Sequence, residues 1–232
     1  MKVLVWNMDY WKSSHRESGW NFIREIDPDL ALLSECAVND DQFNYVHHVQ
    51  KAGWGVGVFS RHHDLVEVEF ECCHPEAVAV SSITIESQGI TGISLYGRII
   101  DGFAITTLHR SLSDLTPLFQ TKAGRDWTLI GGDFNASTQC DELMPSYKGD
   151  RAHHIFFERL MNFGLADCLK KFHEGHIRTL RHKNSDVHWH NDYLFVGKSL
   201  YDRCVSCEVI DDPQLYEVSD HNPIIAEFDL SK

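Results

Sequence analysis

The stretch Trp127-Thr128-Leu129-Ile130-Gly131-Gly132-Asp133-Phe134-Asn135 decides the fold. Its apolar run reads as a buried strand, and the paired glycines let the backbone turn sharply where the strand ends. A carboxylate and an amide, Asp133 and Asn135, then project from that end. A Gly-Asp turn between strands is common by itself, so the weight comes from its company. Trp6-Asn7-Met8-Asp9, Leu33-Ser34-Glu35, Asp192-Tyr193-Leu194-Phe195 and Ser219-Asp220-His221-Asn222-Pro223 each set an acid, amide or imidazole at the end of a short apolar run.

Outward from this stretch, Lys2 to Asn7 and Leu30 to Leu33 read as strands, separated by a helix over Trp20 to Ile26 that Asp27-Pro28 stops. Val46 to Arg61 is β-like and punctuated by glycine, and Val66 to Phe70, Ala77 to Ile85 and Ile90 to Tyr96 follow as strands. Ile105, Leu108, Leu112, Leu115 and Phe119 recur at intervals of three and four, which predicts a helix from about Phe103 to Lys122. A further helix is expected from Arg151 to Phe163, with Gly164 as its stop, and Tyr193 to Val196 and Ile224 to Phe228 close the chain as strands. Hairpin-like pairs alternate with strand-helix-strand units. The expected class is therefore α+β, with two mixed β-sheets packed as a sandwich and helices outside.

The 232 residues, 43% hydrophobic, suffice for one domain spanning 1–232 with a large core. The first apolar run is too short for a signal-peptide core or a membrane span, and seven cysteines with a lone CxxC (Cys204, Cys207) fit reduced thiols better than a disulfide framework or a zinc site. A cytoplasmic protein without a membrane span is the expectation. A net charge of −13 argues against a general nucleic-acid coat protein, which needs surplus Lys and Arg. It leaves room for a metal-dependent phosphoesterase, because a carboxylate cluster repels phosphate only until a cation arrives.

Taken in order, N-x-D (Asn7, Asp9), LLSE (Glu35), GDFN (Asp133, Asn135), W-x-x-D-Y-L-F (Trp189, Asp192) and SDHNP (Asp220, His221) resemble the endonuclease/exonuclease/phosphatase superfamily, and most of all its exonuclease III and apurinic endonuclease branch. The resemblance runs from residue 3 to about 228. It implies a DNase I-like four-layer sandwich and Mg²⁺- or Mn²⁺-dependent hydrolysis of phosphoesters. It makes Glu35 the principal metal ligand, with Asn7 and Asp9 beside it and Asp220 as a further ligand. Hard divalent cations prefer such oxygen donors. It also implies that Asp192 orients His221, that Asp133 holds or deprotonates the attacking water, and that Asn135 donates to a phosphoryl oxygen; whether Asp133 or His221 is the formal base stays open. Members of the family carry Tyr or His at one more phosphate-contacting position. Tyr96 is favoured there over His109, which the helical stripe places beside Leu108 and Leu112. Tyr10-Trp11 departs from the small residue usual in the branch after N-x-D.

The expected function is that of a nuclease, an endonuclease or exonuclease acting on DNA or RNA, with a small-molecule or lipid-headgroup phosphatase or phosphodiesterase on the same scaffold as the alternative. Nucleic acid is the expected partner, and no obligate protein partner is implied. Residues 148 to 183 hold eight Lys and Arg against four Asp and Glu, a candidate groove for a polyanion in an otherwise acidic chain.

Overall fold

The computed structural model describes residues 1–12, 16–38, 41–50, 52–139, 151–182 and 186–231. The ends of the basic stretch, Lys148 and Lys183, lie outside the described residues. One six-stranded sheet is built from β1 (Lys2–Asn7), β2 (Leu30–Cys36), β3 (Asn44–Val49), β4 (Gly55–Ser60), β11 (Cys204–Val209) and β12 (Ile224–Phe228), in the order β11-β12-β1-β2-β4-β3. A second holds β5 (Leu65–Glu67), β6 (Val78–Ile85), β7 (Gln88–Leu95), β8 (Thr128–Asp133), β9 (Leu165–Asp167) and β10 (Asp192–Gly197), in the order β5-β6-β7-β8-β10-β9. Both are mixed. β1 runs parallel to β2 and antiparallel to β12, and β8 runs parallel to β7 and antiparallel to β10.

The central strands are apolar on both faces because both faces are covered. Val3 and Val5 of β1, Leu30 and Leu32 of β2, Leu129 of β8 and Leu194 and Val196 of β10 form the core between the sheets. Leu4, Trp6, Ala31 and Leu33 turn the other way, against Trp20 and Ile23 of α1 (Arg16–Ile26). On the outer face of the second sheet, Ile130, Tyr193 and Phe195 pack with Leu108 and Leu112 of α2 (Ile105–Asp114) and Phe156 and Leu160 of α4 (Arg151–Asn162). The result is the helix, sheet, sheet, helix layering expected from the strand pattern.

The glycine pair in β8 acquires two distinct reasons. A Cβ on Gly131 would lie 2.7 Å from Val5 Cγ2 and 2.9 Å from Leu32 Cδ1, so glycine lets the two sheets close together there. Gly132 has φ +147°, and a Cβ on it would lie 2.1 Å from the Leu95 carbonyl oxygen of the parallel neighbour.

The helix expected from Phe103 to Lys122 is interrupted. α2 ends at Asp114, a 3₁₀ turn spans Thr116–Phe119, and α3 (Lys122–Asp126) follows. Pro117 explains the break, since it has no N–H to donate to residue 113 and its ring crowds that carbonyl. The stripe still holds, with Leu108, Leu112, Leu115 and Phe119 all buried. The expected strand from Val66 to Phe70 is reduced to Leu65–Glu67. None of the described cysteines forms a disulfide, and no helix among the described residues is long and apolar enough to cross a membrane. Two more short helices, α5 (Leu169–Phe172) and α6 (Lys198–Arg203), flank β9 and β10.

Candidate active site

Strand alternation carries the inward face of each central strand to a polar end. Asn7 continues the Val3-Val5 face of β1, Asp133 the Leu129-Gly131 face of β8, and Asp192 the Leu194-Val196 face of β10, where it sits directly opposite Asp133. Three polar groups therefore close one end of the apolar core between the sheets. Glu35 has the wrong parity for this, since it stands two residues from the outward-facing Leu33 and would share its face. A bulge corrects it. The register of β2 against β4 shifts between Leu33 and Cys36, and Glu35 takes φ +47°. Asp9 and Asn135 also hold positive φ, +44° and +46°. Backbone strain of this kind, costing about 1–3 kcal/mol per residue, persists where the surroundings over-determine it, as at functional sites.

The resulting network is continuous. Asn7 Nδ2 donates to Glu35 Oε1 at 3.2 Å and to Asp133 Oδ2 at 3.0 Å. The Asp9 N–H donates to Asn7 Oδ1 at 2.9 Å, so Asn7 turns its amide hydrogens, not its oxygen, to the two carboxylates. The Tyr96 hydroxyl donates to Glu35 Oε1 at 2.9 Å. Asn135 donates to Asp133 twice, from its backbone N–H at 2.8 Å and from Nδ2 at 3.0 Å. Across the sheets, His221 Nδ1 lies 2.8 Å from Asp192 Oδ2. Its Nε2 faces Asp133 Oδ2 and Asp220 Oδ1, each at 3.9 Å and beyond hydrogen-bond length.

The other residues singled out in the sequence fall around this core. Asp9 pairs with Lys12 at 3.1 Å and stays close enough for its charge to act on Glu35. Asp220 is half-exposed at the rim, its carbonyl accepting from Arg181 N–H. His109 is not among them: it lies on α2 with its ring bonded to the Ala152 carbonyl and to Arg159 and packed edge-on against Phe156. Three of the six described basic residues of the 148–183 stretch are spent internally. Arg159 binds His109 and Ser113, Lys171 binds the Tyr201 and Cys204 carbonyls, and Arg181 binds the Ser219 carbonyl and covers the Tyr216 ring.

Two residues given no role in the sequence reading hold the site together. The Thr179 hydroxyl accepts from the N–H groups of Asn191 and Asp192 at 2.9 and 3.0 Å, while its carbonyl accepts from Asn222 N–H. Thr179 thereby ties the start of β10 to the His221 loop, and nothing in its sequence surroundings marks it. Ser219 was legible in principle as a local hydroxyl-backbone turn. Its hydroxyl accepts from His221 N–H and donates to the Asn7 carbonyl.

Burial sets the electrostatics. It pushes the Glu35 carboxyl above its ordinary range, against the hydrogen bonds from Asn7 and Tyr96. It lifts Asp133 to about 7, with Asp192 and Glu35 adding to the rise and His221 opposing it. Burial works to lower the His221 imidazole, but the charges of Asp192 and Asp133 outweigh it and raise His221 to about 10. Burial and the facing carboxylates also raise Tyr96, which keeps its hydroxyl a donor. The cluster is thus short of positive charge where Glu35 and Asp133 share one amide. Those hard oxygen donors suit a divalent cation. Among the described residues, Asp133, Asp192 and His221 also bring one ligand atom each within 4.8 Å of one another. The same trio sets Nδ1 of His221 on Asp192 and turns its Nε2 toward Asp133.

A cavity of about 320 Å³ opens beside Asn135, lined by His153, Leu180, His182, Trp189 and Asn191 among others. Asn135, at the polar end of the core, borders this opening.

No protein-family model and no curated protein sequence matches the chain. Solved structures do. The fold is similar to that of an AP endonuclease from Archaeoglobus fulgidus, with a TM-score of 0.75 at 20% identity over 99% of this chain and 100% of that one. It is also similar to the 3′-5′ exonuclease NExo from Neisseria meningitidis, with a TM-score of 0.73 at 21% identity over 99% of this chain and 100% of that one. A third similar structure is D. rerio TDP2 complexed with a single-strand DNA product, with a TM-score of 0.66 at 14% identity over 99% of this chain and 98% of that one. Likeness at this identity establishes the shared two-sheet fold.

Proposed function

We propose that this chain is a divalent-metal-dependent phosphoester hydrolase that acts on nucleic acid. One observation carries the reading: a buried acid-amide-imidazole network in which Glu35, Asn7 and Asp133 converge from both sheets on the Asp192-His221 pair. Such a network costs stability, because desolvated carboxylates are held above their ordinary range, and perturbed groups of this kind cluster at functional sites. The similar structures include an AP endonuclease, a 3′-5′ exonuclease and a TDP2 complexed with single-strand DNA product, which favours a nucleic-acid substrate.

Glu35 would hold a Mg²⁺ or Mn²⁺ ion with Asp133 and Asp9 close by, and the ion would neutralise charge developing on the phosphoryl oxygens. The chain supplies the rest. Asp133, brought to about 7, is poised to take a proton from an attacking water near neutral pH. His221, kept protonated by Asp192, offers Nε2–H to a phosphoryl oxygen. Asn135 and Tyr96 present further neutral donors, and the two hydrogen bonds from Asn135 to Asp133 hold that carboxylate in one pose.

The test is hydrolysis of plasmid, single-stranded DNA, RNA and a phosphoinositide panel, each with Mg²⁺ or EDTA. The reading expects cleavage of at least one nucleic acid in Mg²⁺ and none in EDTA. Release of phosphate from phosphoinositides with every nucleic acid left intact would move the chain to the small-molecule alternative.

A further inference from the structure

Beyond the site, an aromatic path leads from Tyr96 to the surface. Trp54 packs edge-on against Tyr96, with centroids 5.9 Å apart, and Trp11 packs against Trp54 at 6.0 Å. Trp11 is 67% exposed at the outer end of this path. The two tryptophans line a cleft of about 540 Å³ with Gln50, Ala52, Glu76 and Arg98. An indole left in water forgoes the burial that tryptophan ordinarily gains, and here it forms part of the wall of a cleft.

The platform is held in place before any ligand arrives. Tyr10 donates its hydroxyl to the Ala52 carbonyl at 3.0 Å, and the Arg16 guanidinium lies 4.0 Å over the Tyr10 ring. The turn beneath is closed by Lys12 N–H on the Asp9 carbonyl and by the Lys12-Asp9 ion pair. Arg98 of the cleft wall is paired with Glu76 and Lys12 with Asp9, so the aromatic faces, and not a surplus of charge, are what the cleft offers a ligand. The path begins at the hydroxyl that touches Glu35. The aromatic path thus joins the cleft to the residue proposed to hold the ion.

We infer that Trp11, backed by the buried Trp54, forms a base-stacking subsite that takes an unpaired nucleobase near the scissile phosphate. This rests on the proposed nuclease reading and adds a preference for single-stranded or frayed substrate, because a base stacked within a duplex cannot lie on Trp11. Stacking on an aromatic side chain tolerates any base, so the subsite selects strandedness and not sequence.

The experiment uses full-length Asp133→Asn protein in Ca²⁺ and single-stranded oligonucleotides carrying 2-aminopurine, whose fluorescence falls when it stacks. Walking the 2-aminopurine along the strand should find one position that is quenched on binding. Trp11→Ala should abolish the quenching there and weaken binding about 5- to 150-fold, the range expected for one stacked base, with Trp11→Phe recovering most of both. An abasic residue at that position should make wild-type and Trp11→Ala backgrounds bind alike. If the protein binds oligonucleotides but no position is quenched, or Trp11→Ala binds as tightly as its parent, the stacking subsite is overturned and the nuclease reading stands. If no oligonucleotide binds and none is cleaved by the wild-type protein, the nuclease reading fails and the subsite with it.

Discussion

Asp192 Oδ2 lies 2.8 Å from His221 Nδ1, although the two residues are 29 positions apart and His221 leads into a strand of the other sheet. Asp192 opens β10, and His221 sits in the loop before β12. The pair is thus both a staple between the sheets and the feature that fixes the direction of the imidazole. Because Asp192 acts on substrate only through His221, their losses should not multiply. Asp192→Asn and His221→Ala are each expected to lower kcat by roughly 10²–10⁴-fold, and the double variant should be close to the worse single one. Steady-state kinetics on one oligonucleotide decides this; a double variant slower by the full product would make the two residues independent.

The same pair has a signature in pH. His221 is raised from 6.5 to about 10, so its contribution to stability is complete below pH 6.5 and is lost as pH rises toward 10. In metal-free protein, NMR of the ring should find it protonated at pH 8, and Asp192→Asn should bring its titration down by removing the nearest negative charge. Chemical unfolding between pH 7 and 10 should show a shallower loss of stability in Asp192→Asn than in the wild type. A ring already neutral at pH 8 in the wild type would contradict the electrostatic account.

Tyr96 and His109 compete in the sequence for one role and occupy different places in the fold. The Tyr96 hydroxyl reaches Glu35, whereas the His109 ring serves the α2-α4 contact. Tyr96→Phe removes one hydroxyl and should cut turnover by roughly tenfold or more with little change in Tm, since one such donor is worth about 1–3 kcal/mol. His109→Ala should lower Tm and leave turnover near that of the wild type. Kinetics and thermal melts on both variants give the comparison, and the opposite pattern would reassign the phosphate-contacting role.

Arg181 illustrates what composition hides. It belongs to the basic stretch that reads as a polyanion groove, yet its side chain is 9% exposed and committed to the Ser219 carbonyl and the Tyr216 ring. Arg181→Ala should therefore cost about 1.5–3 kcal/mol in urea unfolding, the range for a hydrogen bond from a charged group. The salt dependence of oligonucleotide binding should not change. Unaltered stability with a salt slope flatter by about 1 would restore Arg181 to a phosphate contact.

These residues show where the sequence was legible. Asn7, Asp133 and Asp192 each end an apolar run with the parity of the inward face, so composition and alternation together brought them to one place. Glu35 has the opposite parity, and only the bulge at residues 34 and 35 turns it inward; one residue of register is invisible without the neighbouring strand. The stripe from Ile105 to Phe119 gave the buried face correctly, while Pro117 decided that the helix could not remain whole. Thr179 was unreadable because its role consists of backbone bonds to residues 12 and 13 positions away and to Asn222 beyond them. The charge count over 148–183 could not show that Arg159, Lys171 and Arg181 are turned to carbonyls of the protein itself, because a count does not say whether a cation faces solvent or a carbonyl.

The central claim is that the Glu35 cluster binds a divalent cation and uses it on a phosphoester. Glu35→Gln keeps the side chain's shape and its place in the bulge while removing the charge. The decisive measurement pairs Mn²⁺ binding by calorimetry with hydrolysis of one end-labelled oligonucleotide in Mg²⁺ or EDTA, for wild type and Glu35→Gln, with circular dichroism to confirm an unchanged fold. The account predicts binding and cleavage by the wild type, no cleavage in EDTA, and in Glu35→Gln a weakened site with activity lower by at least about 10³-fold, since charge stabilisation by a metal is worth several kcal/mol. Cleavage that persists in EDTA, or a Glu35→Gln variant that binds Mn²⁺ and turns over like the wild type, would contradict it.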